Sequence, residues 1–201
     1  MDAMEAILKR RSIRKFKSDD IPHELIVKIL EAGIAAPSAK NEQPWKFIVI
    51  TNEDKQAMLN AMRAGIDNEK AKKGLFGKFD LDPRMFHGAE YTLGIMAEAP
   101  VTIFIYNTDM DYHSENPDFL QRLRDCISVQ SVSAAIENML LAATALGIGS
   151  LWICDIVFAY RELCEWLGEG EQLIAAISFG YTDECPDARP RKSIEEVTIW
   201  R

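Results

Sequence analysis

Six of the nine residues from Lys9 to Lys17 are basic, in a chain of 201 residues whose formal charge is -8 at pH 7. Positive charge gathered against the overall balance suits a local anion. Arg10, Arg11 and Arg14 offer planar forks of donors matched to phosphate oxygens, and Ser12 adds a hydroxyl between them. A solvated basic turn, or a helix C-terminus balanced by cations, would use the same residues. A second basic group lies at Arg189, Arg191 and Lys192, where Pro190 stiffens the backbone between two guanidinium groups.

The loop Pro37-Ser38-Ala39-Lys40-Asn41-Glu42-Gln43-Pro44-Trp45 carries a different chemistry. Its two side-chain amides donate and accept together, which suits a heterocycle edge bearing both N–H and C=O groups, such as a flavin pyrimidine ring. Its small residues let a flat ligand approach the backbone. An ordinary capped turn has the same composition. Gly147-Ile148-Gly149-Ser150-Leu151-Trp152 is a glycine-rich turn between helix and strand, and neither a GxGxxG nor a GxxxxGK[ST] phosphate loop follows a strand here. His23, His87 and His113 stand far apart without HExxH spacing, and no GxSxG elbow occurs, so neither a metal site nor a serine hydrolase is expected.

Helices and strands must carry these groups. Asp2 and Glu5 open a short helix that ends at the Arg10-Arg11 pair. A start signal at Ser18 to Pro22 precedes Leu25, Ile26, Ile29, Leu30 and Ile34, whose helical spacing continues until Pro37 forbids it. Lys46 to Thr51 reads as a strand and Glu53 to Ala64 as a helix. Gly65 to Gly88 carries five glycines or prolines with Phe76, Phe79 and Phe86, and reads as a mobile excursion with short helices. Val101 to Tyr106 is a second strand and Asp109 to Asp118 a polar loop. A long helix over 119–146 ends at Gly147. Ser150 to Cys154 is a third strand, Val157 to Leu167 an amphipathic helix stopped by Gly168, and Leu173 to Phe179 a fourth strand. Val197 to Trp200 has strand character.

Composition narrows the function classes. A length of 201 residues with 48% hydrophobic and 27% charged residues fits a single globular domain over 1–201, and excludes a disordered adaptor or a repeat array. The acidic balance argues against binding nucleic acid through a global positive field. The apolar run Val129 to Leu146 is interrupted by Gln130, Ser131, Ser133, Glu137, Asn138 and Thr144, so it reads as a buried helix and no membrane partner is expected. Four cysteines, at 126, 154, 164 and 185, match neither a CxxC pair nor zinc spacing and suit a reducing compartment. Without a signal-peptide pattern at the start, a cytoplasmic location is expected.

In order and position, RRSIRKF at Arg10 to Phe16, APSAKNEQPWKFIVI at Ala36 to Ile50, AAIENMLLAATALGIGSLWI at Ala134 to Ile153 and RPRK at Arg189 to Lys192 resemble the nitroreductase family of FMN-dependent oxidoreductases. The resemblance implies an α+β fold, a three-layer α-β-α sandwich around a mostly antiparallel sheet. It further implies a homodimer formed through long central helices, with FMN sites at the interface. Carried over by position, Arg10, Arg11 and Ser12, joined by Arg189 and Arg191, would hold the FMN phosphate and ribityl end, and Arg14 would lie toward the pyrimidine edge. Pro37, Ser38, Ala39 and Asn41 would come from the partner subunit, while Gly149, Ser150 and Leu151 would border the reactive ring with backbone amides. The implied reaction is ping-pong. NADH or NADPH would give hydride to flavin N5, and an electron-poor small molecule, a nitroaromatic or a quinone, would take it up without an essential catalytic side chain. Dehalogenation, flavin cleavage and a flavin sensor without turnover are the alternatives within and beside the family.

Overall fold

Every residue of Val101–Asn107 is buried, and its side chains alternate between two hydrophobic clusters. A strand apolar on both faces must be covered on both faces, and that requirement sets the architecture. A computed structural model describes residues 1–109, 118–170 and 172–201. In chain order the elements are α1 (Ala3–Lys9), α2 (His23–Ile34), a 3-10 turn at Ala39–Asn41, β1 (Trp45–Ile50), α3 (Asn52–Lys70), α4 (Pro83–Glu98), β2 (Val101–Asn107) and α5 (Phe119–Ala145). They continue with β3 (Gly149–Ile153), a 3-10 turn at Asp155–Ala159, α6 (Tyr160–Leu167), β4 (Leu173–Gly180) and α7 (Ile194–Val197).

The sheet has the order β1-β2-β4-β3, with every neighbouring pair antiparallel. On one face Phe104, Tyr106 and Ala176 pack with Met58, Met62 and Ile66 of α3, Leu93 and Met96 of α4 and Leu163 of α6. On the other, Ile103, Ile105, Ala175 and Ile177 pack with Ile26 and Ile29 of α2 and with Val132, Ile136, Met139 and Ala143 of α5. The expected α-β-α sandwich is therefore present. Across the centre, Thr102 and Ser178 satisfy each other's hydroxyls at 3.0 Å. Among the described residues α5 is the one helix long and apolar enough to cross a membrane, yet its apolar residues form the middle of this core.

The N-terminal and central elements match the expected ones closely, and three departures have physical causes. Helix α3 runs through Gly65 to Lys70, because Gly65 is a packing position. A Cβ there would fall 2.2 Å from Ala159 Cα. Helix α4 covers Pro83–Glu98, with Pro83 in its first turn, where the missing N–H costs nothing, and Asp82 accepting from the Arg84 N–H at 2.9 Å. Residues 65–70 and 83–88 of the expected excursion are thus helical, leaving 71–82 as the connection. At the C-terminal end the expected strand over 197–200 is absent. Ser193 and Glu196 form a capping box that winds Ile194–Val197 into one helical turn, and the residues after it pair with no strand. The polar loop expected at 109–118 lies, apart from its two ends, outside the described residues, and His113 with it.

Candidate functional site

Buried Ile13 and Phe16 pin the basic N-terminal strip to the fold. The Ile13 N–H donates to the Ser150 carbonyl at 2.9 Å, the Lys17 N–H to that of Tyr181 at 2.8 Å, and the Asp183 N–H to that of Lys15 at 3.0 Å. Gly180 permits this approach, since a Cβ there would lie 2.7 Å from the Phe16 ring. The strip is thereby clamped between the start of β3 and the segment that follows β4. The Glu184 carboxylate accepts from the Arg14 N–H at 2.5 Å and fixes the C-terminal segment opposite.

Between the two segments lies a cleft of about 380 Å³, lined by Arg10, Arg11, Ser12, Arg14, Arg189 and Arg191 with apolar Ile7 and Leu8. Both basic groups seen in the sequence meet here. The side-chain hydrogen bonds of three of these arginines end on carbonyls. Arg11 donates to Leu8 and Arg10 oxygens at 2.7 and 2.8 Å, Arg14 to Ser12 at 3.2 Å, and Arg191 to Arg189 and Pro190 at 3.2 Å. Carbonyls orient a guanidinium without neutralising it. Among the described residues Arg10 is the one of the five that approaches a carboxylate, Glu137 at 3.8 Å, and Asp187 is the acid in the lining. Five guanidinium groups against Asp187 and the half-exposed Glu137, with a serine hydroxyl among them, fit a phosphate monoester in chemistry.

The loop at 37–44 is strained. Lys40, Asn41 and Gln43 all have positive φ, at 50°, 60° and 51°, and none is glycine. Such strain gathers where function demands it. Ser38 Oγ accepts from the Gln43 N–H at 3.0 Å, and Ser131 Oγ on α5 accepts from the Ala39 N–H at 3.3 Å. Glu137, beside Arg10, lies six residues further along α5, roughly 9 Å away along the helix axis. Within one chain, then, Pro37, Ser38, Ala39 and Asn41 flank the same helix as the cleft without lining it.

Gly149, Ser150 and Leu151 are buried at the start of β3, the edge strand of the sheet. On its outer side β3 pairs, among the described residues, at Ser150 alone, through a parallel bridge to Ser12. The rest of its outer edge makes no strand pairing among the described residues, although Gly149, Leu151 and Ile153 are buried. At its far end Asp155 accepts from Thr92 Oγ1 at 2.6 Å, tying the corner to α4. Cys154, although it reaches the surface, has its pKa raised, first by burial of the thiol and then by the Asp155 charge beside it. Sequence reasoning missed Ile7, Leu8, Asp187 and Cys154 as neighbours of the site. The apolar pair Ile7-Leu8, immediately ahead of the Lys9-Arg10-Arg11 run, was the one signal present.

A model described as the nitroreductase family matches residues 7–181. An NADH dehydrogenase from Thermus thermophilus is 40% identical over 211 residues, covering 100% of this chain and 97% of that protein. Among solved structures, a BluB-like flavoprotein from Clostridium difficile is 26% identical with a TM-score of 0.76, covering 100% of this chain and 99% of its own. A nitroreductase-type protein from Desulfovibrio desulfuricans, solved in complex with FMN, is 26% identical with a TM-score of 0.72, covering 100% and 98%.

Proposed function

The chain belongs to the nitroreductase family, and from that premise we propose a homodimeric oxidoreductase that holds FMN and carries two electrons from NADH or NADPH to a nitroaromatic or quinone. The observation that carries this reading is the convergence of Arg10, Arg11, Arg14, Arg189 and Arg191 with Ser12 on one cleft, their hydrogen bonds ending mostly on carbonyls rather than on acids. FMN, when bound, supplies the two-electron chemistry that lets donor and acceptor alternate at one place in ping-pong order.

The chain's own residues bind and orient. Arg10, Arg11, Ser12, Arg189 and Arg191 are assigned to the phosphate and ribityl end, and Arg14 to the anionic pyrimidine edge. The unpaired outer edge at Gly149, Ser150 and Leu151 is assigned to the ring's polar rim, with backbone amides as donors. The strained loop of Pro37, Ser38, Ala39 and Asn41 is assigned to the ring from a second copy of the chain, since in its own subunit it stands apart from the cleft. No side chain is assigned a proton transfer. NAD(P)H provides the hydride and water the accompanying proton, so a quinone leaves as its hydroquinone. A cytoplasmic location is part of the same proposal, and four free cysteines and the need for reduced nicotinamide support it.

The test is an absorption spectrum of the purified protein before and after anaerobic NADH or NADPH. Near-ultraviolet and blue bands that bleach, then return on adding a nitroaromatic or quinone, are expected. A folded protein that takes up no added FMN, or a flavin that nicotinamide never bleaches, overturns the reading.

A further inference from the structure

At the other end of β3 from the arginine cleft lies a second cavity, about 280 Å³, walled by Leu75, Cys154, Val157, Tyr160, Leu173 and Ile174. No charged side chain lines it, so a charged guest would lose hydration there without a partner. Most of the wall comes from the corner after β3 and from the start of β4. Leu75 is the exception, arriving from the connection between α3 and α4.

That connection is built, not slack. Glu69, 5% exposed at the end of α3, turns its carboxylate back to accept the Phe76 N–H at 3.0 and 3.2 Å. A Cβ on Gly74 would fall 2.2 Å from the Glu69 carboxyl carbon, so the turn closes on that carboxylate only with glycine. The Phe76 ring lies 6.1 Å from Phe158 and 6.4 Å from Phe79, anchoring the turn to the core. Leu75 is held between Gly74 and Phe76, 42% exposed at the cavity mouth.

We propose that Leu75, held by the Glu69 latch, is the side chain that determines acceptor specificity, closing an apolar slot that receives one planar, uncharged aromatic ring system. The inference rests on the FMN oxidoreductase reading. The two cavities stand at opposite ends of β3, and Ser150 to Cys154 spans about 13 Å of backbone. In the proposed arrangement FMN, held by its phosphate among the arginines, runs its ring along β3 toward this slot. Leu75 touches the guest, and Glu69 is a positioning residue.

The probe is 1-nitronaphthalene, added to oxidised, FMN-loaded protein without reductant. The readout is the rate at which N-ethylmaleimide modifies each cysteine, mapped by peptide mass. Saturating probe is expected to slow modification of Cys154 by about fivefold or more and to leave exposed Cys126 and Cys185 unchanged. In Leu75→Ala the protection midpoint should rise about fivefold, the loss expected for a partly buried isobutyl group, and in Leu75→Met it should not. Glu69→Gln should raise the midpoint while FMN affinity stays constant. Unprotected Cys154, or a midpoint that Leu75→Ala leaves in place, overturns the proposal. In the same preparation NADH still bleaches the flavin if only the slot is wrong, and fails to do so if the oxidoreductase reading itself is wrong.

Discussion

Arg10 and Arg191 come from opposite ends of the chain to one cleft, where Arg191 donates to carbonyls and Arg10 meets the half-exposed Glu137 at 3.8 Å. Removing either by Arg10→Ala or Arg191→Ala should weaken FMN retention by about 1.5 to 3 kcal/mol, the usual worth of a charge-assisted hydrogen bond. FMN titration into apoprotein measures it, and an unchanged affinity in both variants rejects the phosphate assignment. Cys154 makes a separate prediction. Burial and Asp155 raise its thiol pKa, so its thiolate fraction at neutral pH is small and its alkylation should rise only on the alkaline side of an ordinary cysteine. Asp155→Asn should move that profile part of the way back, because burial is the larger cause. A profile at the ordinary thiol position would contradict this. The arginines were legible in the sequence because charge density needs no fold to be seen. Leu8, Asp187 and Cys154 were not, because only the clamp between the N-terminal strip and the segment after β4, and the corner after β3, give them their place.

At the scale of elements, most of the four strands and the helices α1, α2, α5 and α6 could be read from periodicity, caps and terminators, since each carries its own local signal. Two of the misreadings turn on glycine. Gly65 looks like a helix breaker, but α3 continues through it because α3 and the turn at Asp155–Ala159 pack too closely for any side chain. Gly88, which closed the expected excursion, lies inside α4 where a Cβ would meet nothing within 4 Å, and Pro83 belongs to the helix's first turn. At Gly65 glycine's local cost, about 1 kcal/mol in a helix, is outweighed by the packing it permits. Gly65→Ala should therefore destabilise the protein despite alanine's better helix propensity. The added methyl meets Ala159 backbone, which cannot swing aside, and overpacking of that kind costs about 1 to 3 kcal/mol. Urea unfolding would show a lower midpoint at constant slope. A neutral or stabilising result would mean that α3 and the 155–159 turn can separate at little cost.

At the scale of the molecule, the proposed dimer would cover apolar side chains that one chain leaves exposed. Phe119, Leu120 and Leu123 on the first turns of α5 are exposed, as are Met4, Ile7 and Leu8 on α1, and Trp200 is 85% exposed. Patches of this kind mark an interface. The site asks for the same thing, since the strained loop at 37–44 and the arginine cleft both flank α5 without meeting in one subunit. A two-fold pairing of the chain would cover the apolar face and bring one copy's loop to the other's cleft. Phe119→Glu combined with Leu123→Glu tests both demands together. The two side chains are exposed in the single chain, so folding should survive and circular dichroism should be unchanged. Sedimentation should show a dimer for the parent and a monomer for the variant, and the monomer should have lost FMN although every arginine of the cleft is intact. A variant that becomes monomeric yet keeps its flavin would show that a single cleft suffices, and the assignment of Pro37, Ser38, Ala39 and Asn41 to a second copy would fall with it.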